Sequence, residues 1–249
     1  MGALRAMSRP AGGPPSLRLA ARPRPAIRGR MRHIGSLTVC LCLAGSAAGA
    51  HPHIFVDTGL TLRFDDQGRL GAVGVVWVYD ELSSMLILGD LELDGDADGE
   101  LTQVERQRLQ QEGSTWPEDF DGDLYLSQAG QAIALSGPRD SIVDYRDGRL
   151  IETHLRPLAT PLAPQPQPVA IKVYDPFYYT FYDLAAAPKM IGRGDCEVRI
   201  ERADIAAAQK LYADELELLN DEQMLDEGQS PQLGGAFADE VRVTCAAQP

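Results

Sequence analysis

From residue 53 onward most apolar positions fall into short alternating runs, which predicts a sheet-rich chain. Residues 53–64 alternate loosely, with Ile54, Val56, Leu60 and Leu62 among polar neighbours. Asp65, Asp66, Gln67 and Gly68 read as a turn, and residues 70–78 as the returning strand of a hairpin. Further short strands are predicted at residues 123–127, 131–136, 141–145, 149–155 and 169–174, with turn signals at Ala129-Gly130, Gly137-Pro138 and Asp147-Gly148. That succession reads as a meander. Residues 157–168 hold five prolines and read as an extended connection along an edge, while residues 196–200 and 240–245 close the set of strands.

Helical spacing interrupts the strands three times. Residues 80–91 read as a helix with Leu82, Met85, Leu86 and Leu88 on its apolar side. Residues 101–111 read as a second, with Val104 and Leu109 inward, and residues 203–219 as a third, with Ile205, Leu211, Leu216 and Leu219 inward. Between the first two lies a stretch that fits the twelve-residue EF-hand calcium loop. Asp94, Asp96 and Asp98 offer side-chain oxygens at positions one, three and five, Glu100 a backbone carbonyl at seven, Thr102 a water-mediated contact at nine, and Glu105 a bidentate carboxylate at twelve. Gly99 occupies the sharp turn at six and Leu101 the apolar position at eight. The fold class implied is α+β: a mainly antiparallel sheet or sandwich with an EF-hand-like helix–loop–helix insertion at residues 80–113 and a C-terminal helix. A second acidic run, Asp119, Asp121 and Asp123, has its glycine at 122 and no closing glutamate at the right distance, so it reads as a turn before a strand.

Charge divides the 249 residues in two. Residues 1–50 hold eight of the 23 basic side chains and none of the 36 acidic ones, which leaves 15 basic against 36 acidic, a formal −21, for residues 51–249. So acidic a domain repels nucleic acid and anionic membrane surfaces and favours cations. Within the basic leader, Arg32 precedes an apolar run at residues 37–47 that ends in Ala48-Gly49-Ala50, the small-x-small pattern of a signal-peptidase site. The expectation is a cleavable export signal, removed after Ala50, a periplasmic mature chain at residues 51–249, and no stable membrane insertion, since the run is shorter than the ~20 residues of a spanning helix. Met31 would make a conventional signal start. Cys196 and Cys245 alone survive cleavage, and in an oxidising compartment they are expected to pair.

Cleavage would leave His51-Pro52-His53 as the new N-terminus. Two imidazoles two residues apart on an extended segment share one face, beside a free α-amine, and form a nitrogen site suited to zinc, nickel, cobalt or copper. Pro52 has no N–H to lose, which excludes the square-planar mode that needs a deprotonated amide at the second residue. His154, the only other histidine of residues 51–249, is the natural third ligand. The run of residues 175–183 concentrates five aromatics, which on a strand mostly build core. No phosphate-cradling glycine loop and no Ser/His/Asp or Cys/His set is present, so hydrolytic machinery is not expected.

The chain resembles the DUF1007 family in the segments His51-Pro52-His53-Ile54-Phe55-Val56-Asp57, Val76-Trp77-Val78-Tyr79-Asp80-Glu81, Leu93-Asp94-Gly95-Asp96-Ala97-Asp98-Gly99 and Tyr174-Asp175-Pro176-Phe177-Tyr178. The resemblance spans essentially all of residues 51–249. It implies an exported transport-system component, with genes often beside nickel/cobalt-type permeases, and supplies no established enzymatic activity to carry over to these positions. The expected function is therefore a periplasmic metal-binding protein accessory to a metal permease. It would bind calcium at Asp94, Asp96, Asp98, Glu100, Thr102 and Glu105, and a transition metal at His51, His53 and His154. Two alternatives stand beside it: a mononuclear copper oxidase or oxygenase using a processed N-terminal histidine, and a calcium-stiffened structural or interaction domain.

Overall fold

The structure, a computed structural model, describes residues 52–117, 120–163, 165–219 and 231–246. The hairpin forms as its alternation requires: β1 (Ile54–Phe64) and β2 (Leu70–Tyr79) run antiparallel from Val56 opposite Tyr79 to Leu62 opposite Val73, with a bulge after Arg63. The turn between them is held by Asp65, whose Oδ1 accepts the backbone N–H groups of Gln67 and Arg69.

Two sheets face each other. One has the order β5 (Arg139–Arg146), β6 (Arg149–Leu162), β2, β1, β8 (Thr180–Leu184), with β9 (Lys189–Ile191) also on β1. The other has the order β10 (Cys196–Glu201), β11 (Glu240–Cys245), β7 (Val169–Val173), β3 (Leu124–Gln128), β4 (Gln131–Ile133). All pairings are antiparallel except those of β8 and β9 with β1. The inward positions of both sheets, Val56, Leu60, Leu62, Val73, Val75 and Trp77 against Leu124, Leu126, Ile171, Val173, Val241 and Val243, make the main core. The fold is thus the expected α+β, sheet-rich type.

The middle strands are not one meander. The β3–β4 and β5–β6 hairpins lie in different sheets, because the chain after β4 crosses to the β6 edge, where Leu135 bridges Leu158. β6 continues through Pro157 to Leu162, so much of the proline-rich stretch is strand. The aromatic run starts as a turn, in which Asp175 accepts from the backbone N–H groups of Phe177, Tyr179 and Thr180, and becomes strand only at Thr180.

Among the described residues three α-helices complete the fold: α1 (Glu81–Asp90), α2 (Gln103–Gly113) and α3 (Ile205–Leu216). None is long and apolar enough to cross a membrane. Their buried faces match the expectation at Leu88 and Leu109 and differ from it elsewhere. In α1, Leu82, Met85 and Leu86 are exposed while Ser83, Ser84 and Leu88 are buried. Ser84 explains the rotation: its Oγ donates to Asp80 O at 2.7 Å and accepts the Leu150 N–H at 2.8 Å, so a serine faces the sheet with its hydroxyl satisfied. Val104 of α2 is 75% exposed whereas Leu109 is buried. In α3 Ile205 and Leu211 face solvent, and Ala208 with Tyr212 packs on Tyr178 and Phe237. Cys196 and Cys245 sit opposite each other on β10 and β11 and are joined by the expected disulfide.

Candidate metal centre

The helix–loop–helix covers one end of the first sheet. Asp80 starts α1 as its N-cap, Oδ1 accepting from Ser83 N at 2.9 Å, and its Oδ2 accepts from Phe55 N at 3.1 Å, which ties the helix to β1. α1 stops before the loop. Leu93 N donates to Leu88 O and Glu92 N to Gly89 O, with Glu92 in the left-handed region at φ 51°, the pattern of a Schellman stop. The matching apolar contact is present, since Leu88 and Leu93 are both buried in one cluster with Leu101, Leu109, Val143, Tyr145 and Leu150. Leu93 and Leu101 therefore pin the loop at both ends, and α1 does not run continuously into it.

Within the loop the chain takes left-handed turns at Ala97 and Gly99, with φ of 55° and 81°. These curl the backbone so that one carboxylate oxygen each from Asp94, Asp96 and Asp98 lies within 4.8 Å of the others. Asp94 Oδ1 accepts from Asp98 N at 3.1 Å and is approached by Gly99 N at 3.3 Å, so the first carboxylate orients the turn. Asp94 is half-buried, while Asp96 and Asp98 are exposed.

Glu105 does two things at once. It is the N3 residue of a capping box: Thr102 Oγ1 accepts from Glu105 N, and Glu105 Oε2 accepts from Thr102 N and Oγ1 at 2.8 and 2.7 Å. Its Oε1 accepts from Asp94 N at 3.0 Å, which carries the carboxylate back across the loop to its first residue. Hydrogen bonds from the Thr102 side chain, then its backbone, and from the backbone of Asp94 and Gly95 hold the Glu105 carboxyl below its ordinary pKa. The Glu100 N–H donates to Asp98 Oδ1 at 2.8 Å. α2 then locks onto the sheet. Arg106 pairs with Asp144 at 2.9 Å and donates to Tyr145 O, while the Gln110 amide donates to Ser141 O and accepts from Val143 N, closing the β5 edge.

The histidines are not brought together. His51 lies outside the described residues. His53 is exposed just before β1, its N–H donating to Tyr179 O at 2.8 Å and its ring stacked on Tyr179. His154 pairs with Val75, whose β1 neighbour is Leu60, so it lies seven residues further along and two strands across. At ~3.3 Å per residue that is roughly 23 Å along the strand direction alone. His154 is buried between Trp77 and Trp116, with ring centroids 4.7 and 4.8 Å away in edge-on contact, and its Nδ1 is 3.3 Å from Glu152 Oε1 but out of hydrogen-bond alignment. A His53–His154 metal site is excluded by this register, and among the described residues only the Asp94, Asp96, Asp98 group has metal-ligand spacing.

Sequence reasoning missed a buried polar row on the inward face of β6, where Glu152, His154 and Arg156 lie in phase with Leu150 and Leu158. Trp116 Nε1 approaches Glu152 Oε1 at 3.3 Å. Arg156 reaches the turn at Asp121, Gly122 and Asp123, where its Nη1 donates to Asp121 O. Asp123, also buried, accepts from the Tyr182 hydroxyl at 2.7 Å, and burial pushes its carboxyl up to about 7, opposed by that hydrogen bond and reinforced by Asp175 and Asp121. Burial likewise raises the Tyr182 and Tyr79 phenols.

Two packed sheets with a helix–loop–helix at one end define a sheet-rich α+β protein whose interhelical loop brings the carboxylates of Asp94, Asp96 and Asp98 together. The chain belongs to the DUF1007 family, described as "Protein of unknown function (DUF1007)", whose model matches residues 36–245. No curated protein matches the chain.

Proposed function

We propose that this is an exported, periplasmic cation-binding protein that holds calcium in the loop at residues 94–105, as an accessory to a membrane metal permease rather than as an enzyme. The observation that carries the reading is the convergence of Asp94, Asp96 and Asp98 in a loop whose closing carboxylate, Glu105, is already drawn across it. Three converging carboxylates, with Glu105 reaching back to the first residue of the loop, offer oxygens of the kind that a hard divalent cation with six to eight ligands takes. Glu100 would add its carbonyl and Thr102 a water-mediated contact. Since α1 stops short of the loop, the leaving helix α2, joined to Glu105 by the capping box, is the element that a bound ion stiffens.

Isothermal titration of the purified, metal-free chain with calcium tests this. One site with a dissociation constant on the order of 10⁻⁴ to 10⁻³ M is expected, the range of unpaired extracellular modules. Asp96→Asn and Glu105→Gln should each weaken it at least tenfold. Equal affinity in both variants and the parent chain, or no heat at ~10 mM calcium, overturns the proposal.

For the transition metal, what remains is a chelate of the α-amine, His51 and His53, freed by cleavage after Ala50. Zinc, copper and nickel titrations of the cleaved chain and of a His51→Ala/His53→Ala variant test it, and unchanged affinity in the variant removes this arm while leaving the calcium arm intact.

A further inference from the structure

We propose that the outer face of the five-stranded sheet carries a binding site for a small organic carboxylate with a flat or apolar body, separate from the cation loop. A groove of about 570 Å³ lies there, lined by β3, β4 and β7 and by the turn at Asp121. That volume is within the ~300–1,000 Å³ of small-molecule sites. Strand alternation makes the groove. On β4 and β7 the core-facing residues are Ile133, Val169, Ile171 and Val173, so the small residues Ala132 and Ala170 face outward and leave room. Tyr125 and Tyr174, stacked on each other with centroids 4.1 Å apart, form an aromatic wall on which a planar group can lie.

The polar groups indicate the charge of the ligand. Arg156, only 5% exposed, lines the groove. Its Nε donates to Ser136 O at 3.0 Å and its Nη1 to Asp121 O, but Nη2 has no acceptor among the described residues. Lys172 lines the same groove, its Nζ donating to Gly235 O at 2.7 Å. Among the described residues neither cation has a carboxylate within ion-pair distance; Glu240, which also lines the groove, pairs with Arg242 at 2.7 Å. A guanidinium held through Nε and Nη1, with no acceptor for Nη2 among the described residues, and an ammonium lining the same groove together suit a carboxylate. The exposed Asp121 carboxylate at the groove's end disfavours a dianion, which selects a monocarboxylate over a phosphate ester. Gly122 makes the anchor possible. It sits at φ +73°, and a Cβ there would overlap Arg156 Nη1, so only glycine lets the guanidinium pass beneath the turn.

The experiment is a ¹H–¹⁵N NMR titration of the purified chain with sodium benzoate and with benzamide, its neutral isostere. Benzoate should move the Tyr125, Ser127 and Lys172 amides saturably, with a dissociation constant on the order of 1 mM for a fragment of this size. Benzamide should bind about tenfold more weakly or not at all, for want of the charge-assisted hydrogen bonds. Lys172→Met should weaken benzoate about tenfold, and Ala132→Trp, on an exposed position of β4, should abolish binding by filling the groove. Arg156→Gln should also abolish it where that variant folds; Lys172→Met and Ala132→Trp decide the question whether it folds or not. Non-saturating shifts, equal binding of benzamide, or benzoate binding unaffected by Ala132→Trp each overturn the proposal. Because the calcium loop is not part of the groove, calcium affinity in these variants should match the parent chain whatever the outcome.

Discussion

Replacing Asp123 by asparagine should make the protein more stable at alkaline pH and leave it unchanged in acid. Asp123 is 7% exposed, and its folded pKa of about 7 stands against an ordinary value of 3.8. That difference corresponds to on the order of 4 kcal/mol. Because the folded value is raised, the folded state binds the proton more tightly. Below pH ~3.8 both states are protonated and the group has no effect; between ~3.8 and ~7 the unfolded chain has lost its proton and stability falls as pH rises; above ~7 the penalty is complete. An asparagine at this position carries no such penalty. It can still accept the Tyr182 hydroxyl, and at φ 48° asparagine is among the best-tolerated residues. Urea unfolding followed by tryptophan fluorescence from pH 4 to 8.5 measures this. The Asp123→Asn variant should gain a few kcal/mol at pH 8.5 and less than ~1 kcal/mol at pH 4. Parallel profiles for the two proteins would refute the burial argument for Asp123.

Four other outcomes follow from contacts already described. Ser84→Ala removes the acceptor of the Leu150 N–H in a buried position and should cost about 1–3 kcal/mol in urea unfolding. Breaking the Cys196–Cys245 bridge, which closes a loop with a sequence separation of 49, should cost up to about 4 kcal/mol by the chain-entropy estimate, read as a lower melting temperature of a Cys196→Ala/Cys245→Ala variant. Gly122→Ala forces Arg156 and Trp116 aside and should destabilise by at least ~1–3 kcal/mol, with a shifted Trp116 emission. Calcium at 100 times its dissociation constant should stabilise the chain by about 2.7 kcal/mol, lost on chelation, if the loop is its site.

The sequence was most legible where one local rule dominated. Strand alternation located the β1–β2 hairpin to within a residue or two, and two cysteines in an exported-looking chain predicted their own pairing. It misled where polar atoms are satisfied inside. Ser84 faces the sheet because its hydroxyl serves both Asp80 O and Leu150 N, and no periodicity of apolar residues can register that, so Leu82, Met85 and Leu86 were assigned to the wrong side. β6 is the same lesson on a strand. Glu152, His154 and Arg156 occupy the inward phase while Ile151 and Leu155 take the outward one, and polarity alone gives the opposite answer. The convergence of Asp94, Asp96 and Asp98 was readable from their spacing, whereas the stop of α1 before the loop rests on a non-glycine residue, Glu92, in a left-handed conformation that sequence does not advertise. His154 looked like a ligand because register across three strands is a non-local property. The same limit hid the parallel pairing of β8 and β9 with β1.

That pairing governs how the chain can fold. Ile54 lies beside Thr180 and Arg63 beside Ile191, so the first strand keeps one edge open until the last quarter of the chain arrives. Long-range closure of this kind slows folding. Meanwhile the unpaired N–H and C=O groups along Ile54–Thr58 are a template for strand addition by any other extended chain. A chain released before residue 180 should therefore offer β1 for such addition, and one that extends past residue 191 should have that edge of β1 covered.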